Sequence, residues 1–287
     1  MRKICIVTNY NYGNFLHECL MSLVMQSVGF DKIIVIDDGS SDNSVNIINE
    51  YCNKYDNFYL FSKTNGGQLS CFNHVSGEIE SNDIIFFIDS DDFYFENYVS
   101  EVVDHYEKSK AEFIFVEPVE FNDGEKINNS VTNSKVCTFF FESTSSITRR
   151  TYCWIGNPTS CISITGSLYL KLFPYPYEEE WKSRADDVIV YGSSIIGTRK
   201  LYIESPLVAY RIHDKNIFAT KKITISDISW RNLSLEKLFR WYSNKAMLSS
   251  RGSVRCALNE LKLIPVSYRK KFSIPGKYEI FFGQFFD

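Results

Sequence analysis

Lys32-Ile-Ile-Val-Ile-Asp-Asp-Gly-Ser-Ser-Asp42 and Asp83-Ile-Ile-Phe-Phe-Ile-Asp-Ser-Asp-Asp92 decide how this chain is read. Each is a short, almost unbroken apolar run that stops in an acidic turn. A strand buried on both faces reads this way, because neither row of its side chains meets water. Outward from these two, Lys3-Ile-Cys-Ile-Val-Thr8 is another such run, followed by the polar loop Asn9 to Asn14, and Phe58-Tyr-Leu-Phe61 is a further short strand. In between, Phe15, Cys19, Leu20, Leu23 and Val24 recur at helical spacing over Phe15 to Val28. Val45, Ile48 and Cys52 do the same, with Ser41 or Asp42 available as cap. After the Asn65-Gly-Gly67 turn, Leu69 to Val75 fits a third helix. Strands alternating with helices predict an α/β fold with a mostly parallel sheet. Such sheets bind ligands at the carboxyl ends of their strands. Thr8, Asp38 and Asp89 stand at three of those ends, so the topology places them at one crevice.

Beyond Asp92 the pattern loosens. Phe95 to Tyr106 predicts a helix. Glu112 to Val116, Lys135 to Phe141, Thr159 to Thr165, Lys200 to Ile203 and Leu207 to Ile212 predict strands. Asn122 to Ser134 is polar and reads as an exposed loop. Arg184-Ala-Asp-Asp187 opens a helix running to Ile196, with acidic residues at the positive end of its dipole. From about Asp227 the pattern is helical. In Arg251 to Ile264, Val254, Ala257, Leu258 and Leu261 form a stripe opposite Arg251, Arg255 and Lys262. These shifts divide the chain into an α/β body over 1–220, with halves at 1–110 and 111–220, and a helical region over 221–287.

The chain has 287 residues, 44% of them hydrophobic, enough for a sizeable core. Its 31 Lys and Arg against 35 Asp and Glu give a net charge of −4, which excludes a strongly basic nucleic-acid binder. The balance hides an asymmetry: residues 221–287 hold 13 basic and 5 acidic residues, whereas residues 1–220 hold 18 and 30. The 8 cysteines include no C-x-x-C pair, which argues against a zinc knuckle. The apolar run after Arg2 and Lys3 is too short for a signal peptide, and no stretch approaches the ~18 residues of a membrane span. The expectation is a cytoplasmic protein with reduced thiols.

Three acidic features can carry chemistry. In Asp89-Ser90-Asp91-Asp92, two carboxylates two residues apart form a hard-cation site that suits Mg²⁺ or Mn²⁺ shared with a phosphate. The plain alternative is a capped turn. In Asp37-Asp38, a carboxylate can accept from a base or a ribose hydroxyl, or the pair can serve only the turn and the helix cap. Asp186-Asp187 is a paired-carboxylate site in which like charges raise one pKa, as a general base needs. Its alternative is an ordinary helix N-terminal charge. Of the 4 histidines, His17, His74 and His105 fall in helical segments. His213, in a loop after Tyr210-Arg211, can reach a metal or a diphosphate, or simply satisfy its loop.

Taken in order, these pieces resemble the inverting family 2 glycosyltransferases of the GT-A fold, over about Lys3 to Asn216. Ile6-Val-Thr-Asn-Tyr10 is similar to the family's opening strand and loop. Ile34-Val-Ile-Asp-Asp-Gly-Ser-Ser-Asp-Asn-Ser44 resembles its nucleotide-binding signature, and Phe87-Ile-Asp-Ser-Asp-Asp92 its metal-binding D-x-D end. Asn65-Gly-Gly67 with Asn73, the Asp186-Asp187 pair and Tyr210-Arg-Ile-His213 match later elements. The resemblance implies that Thr8, Tyr10, Asp38, Asn65, Gly66, Asn73, Asp89, Ser90 and Arg211 face the nucleotide-sugar donor. Asp91, with Asp89 and His213, would hold Mn²⁺ or Mg²⁺. Asp187 would be the general base and Asp186 its neighbour or an acceptor contact. Asp186 departs from the more usual Glu, which shortens one carboxylate. The first half of the body would then bind the donor, most simply a UDP-sugar. The second half would bind a glycan or lipid-linked glycan acceptor in surface polysaccharide synthesis of O-antigen or capsule type.

Three rivals remain at this level. A haloacid dehalogenase phosphatase also ends a strand in D-x-D, but usually has Thr or Val where this chain has Phe93. A sugar-1-phosphate nucleotidyltransferase wants a basic, Gly-rich loop after its first strand, and Asn9 to Asn14 has no Lys or Arg. An inactive sugar- or nucleotide-binding module needs no base. The basic region carries Trp230, Phe239, Trp241 and Tyr242 among its cations, and the sequence ends in an aromatic run from Ile280 to Phe286. It is a candidate for peripheral contact with the cytoplasmic face of the inner membrane, or for packing on the body.

Overall fold

The computed structural model describes residues 1–125, 127, 137–214, 225–249, 251–277 and 280. Most of the expected polar loop and nearly all of the terminal aromatic run lie outside them. The body opens with β1 (Lys3–Asn9), α1 (Gly13–Val24), β2 (Lys32–Asp37), α2 (Ser44–Lys54), β3 (Phe58–Ser62), α3 (Gln68–His74) and β4 (Ile84–Asp89). Then come β5 (Phe93–Tyr94), α4 (Tyr98–Lys108), β6 (Phe113–Asn122), β7 (Cys137–Phe141), α5 (Ser145–Thr151), β8 (Ile162–Thr165), α6 (Gly166–Leu172), α7 (Ala185–Ile195) and β9 (Lys200–Ile212). The chain continues through α8 (Ile225–Lys245), α9 (Val254–Leu263) and α10 (Val266–Lys271).

The described strands form one sheet in the order β3-β2-β1-β4-β8-β6-β9-β5, with β7 paired to β9. The first four are parallel, as expected. β8 then runs antiparallel between β4 and β6, so the carboxyl ends of β4 and β6 point the same way. The two strands expected over Lys200 to Ile203 and Leu207 to Ile212 are one strand, β9. Its register against β6 slips between Val116 and Pro118, where Pro206 stands opposite. Proline has no N–H to give the ladder, which explains why the sequence reads as two pieces.

Alternation along the strands sorts the core. Ile4, Ile6, Ile34 and Ile36 face one side of the sheet, and Cys5, Val7, Ile33 and Val35 the other, all at most 1% exposed. Each such side chain contributes about 1.5–3 kcal/mol by leaving water. The C-terminal helices join the first of these cores through Leu238, Tyr242, Ala257 and Leu261. Polar contacts fasten them as well. The Glu260 carboxylate accepts from the first-turn amides of Ser146 and Ile147 at 3.1 and 2.8 Å. Buried Arg150 donates to the carbonyls of Ile280 and Gly252 at 2.6 and 3.0 Å. The described helices of residues 225–271 therefore share the body's core. No helix among the described residues is long and apolar enough to cross a membrane.

Candidate active site

The carboxyl ends of β1, β2 and β4 border a cavity of about 590 Å³. Pairing places Asn9 against Asp37 and Thr8 against Asp89, so the acidic turns converge by register alone. Thr8, Tyr10, Asp38, Asn65, Asp89, Ser90 and Asp91, all expected at the donor or metal, line it. The two acids at the end of β2 divide the work. Asp37 accepts from Asn9 Nδ2 and the Ser40 amide, both at 2.9 Å, and holds the turn. Asp38 is turned to the cavity and is held from behind. Lys63 Nζ donates to it at 2.6 Å, and the amides of Gly66 and Gly67 at 3.0 and 2.7 Å. Gly66 thus acts through Asp38, by its backbone.

Asp89 accepts from Thr8 Oγ1 at 2.9 Å and from Gln68 Nε2 at 2.5 Å. Burial, and then the neighbouring charge of Asp91, push its carboxyl up to about 7. Two crowded carboxylates of this kind favour a cation. Asp91 meets His213, whose Nε2 lies 3.0 Å from Oδ2, while the imidazole stacks on Phe15 with 4.8 Å between centroids. Asp92, the third acid, is structural. It accepts from Ser160 Oγ at 2.5 Å and from the Arg211 amide at 2.9 Å, tying the end of β4 to β9. Among the described residues no group of three or more His, Cys, Asp or Glu can hold a metal alone. Asp89 and Asp91 line the cavity as a pair of hard oxygen donors, and His213, off the lining, reaches it only through Asp91.

The acid pair opens α7. Asp187 is fully buried and doubly paired: Arg184 contacts it at 2.7 and 3.0 Å, and Arg231 of α8 at 3.2 Å. Asp186 is half-buried, and its carboxyl is pushed up to about 6 by burial and by the charge of Asp187. Its Oδ1 accepts from the Asp187 amide at 3.0 Å, and its charge in turn raises Asp89 and Tyr210.

Two residues expected at the donor stand elsewhere. Asn73 is spent on the segment before α7: its Nδ2 donates to Tyr175 O and Glu178 Oε1 at 2.7 and 2.6 Å, and its Oδ1 accepts from the Tyr175 amide at 2.8 Å. Arg211 is not among the cavity's lining residues. Its guanidinium lies between the rings of Phe15 and Phe121, at 4.9 and 4.6 Å, and pairs with Glu18 and Asp123. A planar cation stacked between two rings and neutralised by two acids is a structural strut. The sequence reading missed Lys63, Gln68, Lys182, Arg184 and Arg231. Lys63, Gln68 and Arg231 act across 21 to 44 residues, where no local pattern marks them, whereas Arg184 stands three residues before the Asp187 it pairs with.

The model of the family described as glycosyl transferase family 2 matches residues 4–171. An uncharacterised glycosyltransferase of Nostoc is 26% identical over 220 residues, 75% of this chain and 66% of the relative. The minor teichoic acid biosynthesis protein GgaA of Bacillus subtilis is 35% identical over 133 residues, 43% of this chain and 30% of that protein. The chain thus spans two thirds or less of these relatives. In structure, Staphylococcus aureus TarS 1–349 with UDP-GlcNAc superposes with a TM-score of 0.64 at 16% identity, covering 95% of this chain and 73% of that one. A mannosyltransferase of Pyrobaculum calidifontis with GDP-Man and Mn²⁺ gives 0.54 at 12% identity, covering 98% and 85%. The fold is GT-A.

Proposed function

The chain belongs to glycosyl transferase family 2, and we propose that it moves a sugar from a nucleoside diphosphate donor, most simply a UDP-sugar, to a hydroxyl of a surface glycopolymer or its lipid-linked precursor. One observation carries this reading: Asp38, Asp89 and Asp91 converge on a single cavity at the strand ends, with Asp186 near enough for its charge to act on Asp89. Family membership weighs against the phosphatase reading. The UDP-GlcNAc bound by TarS supports a uridine donor. The likeness to GgaA supports a teichoic-acid-type polymer as acceptor.

The chemistry follows from the residues. Asp38, fixed by Lys63 and the Gly66-Gly67 amides, presents a carboxylate for the base or ribose. Thr8 and Gln68 hold Asp89 in place. Asp89 and Asp91 would hold Mn²⁺ or Mg²⁺, which when bound stabilises the negative charge of the departing diphosphate. An acceptor hydroxyl is a weak nucleophile and needs a base within reach of its proton. The resemblance implies Asp187, but the geometry favours its neighbour. Two arginines occupy the oxygens of Asp187, whereas Asp186 is half-exposed with a raised pKa. In this reading Asp186 takes the proton, Asp187 anchors the helix end, and a single displacement inverts the anomeric centre.

The test is release of UDP from a panel of UDP-sugars, with cell-wall polymer as acceptor and Mn²⁺ present. Asp186→Asn is expected to lower kcat by at least ~100-fold with UDP affinity kept, the scale of a lost general base. A larger loss in a folded Asp187→Asn variant, with Asp186→Asn nearly unaffected, would reverse the assignment. No release from any donor would remove the transferase reading.

A further inference from the structure

We propose that Lys182 is a donor-binding residue whose ammonium clamps the diphosphate; this deepens the reading above and rests on it. Lys182 lies in the segment between α6 and α7, and it lines the cavity with Ser183. The other charged side chains on that lining are the carboxylates of Asp38, Asp89 and Asp91. Lys63 is close by, but it is committed to Asp38, Ser70 Oγ and the Thr64 carbonyl at 2.6–2.8 Å. A nucleoside diphosphate carries more negative charge than one divalent ion cancels, and two carboxylates beside it add to the excess. The site needs a further cation on its wall, and Lys182 is the lysine or arginine among the described lining residues.

Its backbone is fixed where such a cation must start. The Gln68 amide donates to the Lys182 carbonyl at 2.9 Å. Gly67 approaches so closely that a Cβ there would stand 2.4 Å from Lys182 Cα. The same two residues serve the acids: the Gly67 amide donates to Asp38, and the Gln68 side chain donates to Asp89. Lys182 is therefore pinned to the turn that joins the nucleoside end of the cavity to its D-x-D end. The side chain itself is free to move. It is 52% exposed and meets only the 82% exposed carboxylate of Glu179, at 2.6 Å, in the contacts described for its ammonium. A surface pair of this kind is weak and readily exchanged for phosphate oxygens, to which a lysine binds as a point charge.

Calorimetric titration of the full chain with UDP and with uridine, both with Mn²⁺, tests this on wild type, Lys182→Ala and Lys182→Arg. The expected result is a loss of UDP affinity of about tenfold in Lys182→Ala. Lys182→Arg should stay close to wild type, and uridine should bind all three alike. If wild type binds UDP and Lys182→Ala binds it within twofold of wild type, the proposal fails while the transferase reading stands. An equal loss for UDP and uridine would also overturn it, because the residue would then be shaping the pocket and not holding phosphate. If wild type itself fails to bind UDP, the donor reading falls and this proposal falls with it.

Discussion

Gly67→Ala is a small change with a large expected effect, and its size can be worked out. Gly67 has φ 85° and ψ 171°, a region that only glycine occupies without strain. Holding an alanine there costs about 1–3 kcal/mol. The new Cβ would also stand 2.4 Å from Lys182 Cα and 2.7 Å from its carbonyl oxygen. Reaching ordinary contact near 3.4 Å requires a shift of about 1 Å. Both contacted atoms are backbone, so no side-chain rotation relieves the clash, and overpacking of this kind costs a further ~1–3 kcal/mol. The total of about 2–6 kcal/mol lowers Tm by roughly 3–10 °C in a chain of this size. What relaxes is the 182–184 segment, which runs straight into Asp186. The variant should therefore lose at least ~10-fold in turnover even at 10 °C, where it is still folded, because an ångström of misplacement beside the chemistry is costly. Circular dichroism melting and initial rates at 10 °C measure the two effects. A variant with wild-type Tm and wild-type turnover would refute the claim that this glycine is the fulcrum between the donor turn and the acid pair.

Other outcomes follow from the same contacts. Asp186, raised to about 6, must be ionised to act as a base. Activity should accordingly rise tenfold per pH unit up to about pH 6 and then level, and Asp186→Asn should abolish that limb in a pH–rate profile. Because the folded protein holds this proton more tightly than the unfolded chain does, the group's contribution to stability is present at low pH. It is lost as pH rises through about 6, which denaturant melts at pH 4.5 and 7 would register. Asn73→Ala removes three hydrogen bonds to the Tyr175–Glu178 segment. It should cost about 1–3 kcal/mol in a urea melt and leave UDP affinity unchanged. Arg150→Met strands two buried carbonyls at the C-terminal region. It should destabilise the whole chain by about 2–4 kcal/mol in one cooperative transition, and a separate early transition would show that the region folds apart from the body.

Much of the donor side was legible because its signals are local. The runs ending at Thr8, Asp37 and Asp89 carry their own strand pattern, and parallel pairing then forces their acidic ends together. Asp38 and Asp91 reach the cavity from short motifs that contain them. The rest depends on contacts between distant parts of the chain. Asn73 sits in a stretch that resembles a binding motif, but the side chain is claimed by residues about a hundred positions later. Arg211 and His213 stand two residues apart and both meet Asp91 and Phe15, but His213 reaches the Asp91 carboxylate, whereas the Arg211 guanidinium is held by the Asp91 carbonyl, Phe121, Glu18 and Asp123. The contrast between Asp186 and Asp187 is set by Arg184 and by Arg231 of a helix some forty residues on. Pro206 made a single long strand read as two. In each case the local pattern was correct about chemistry and silent about the tertiary partner that claims the side chain.

The central claim is that these acidic strand ends form a metal-assisted nucleotide site. Calorimetric titration with UDP, GDP and dTDP, each with and without Mn²⁺, on wild type and Asp91→Ala, tests it most directly. The account predicts that wild type binds UDP in a Mn²⁺-dependent way and that Asp91→Ala, folded by circular dichroism, loses that dependence. Folded wild-type protein that binds none of the three nucleotides, or binding that is indifferent to both Mn²⁺ and Asp91, would contradict it.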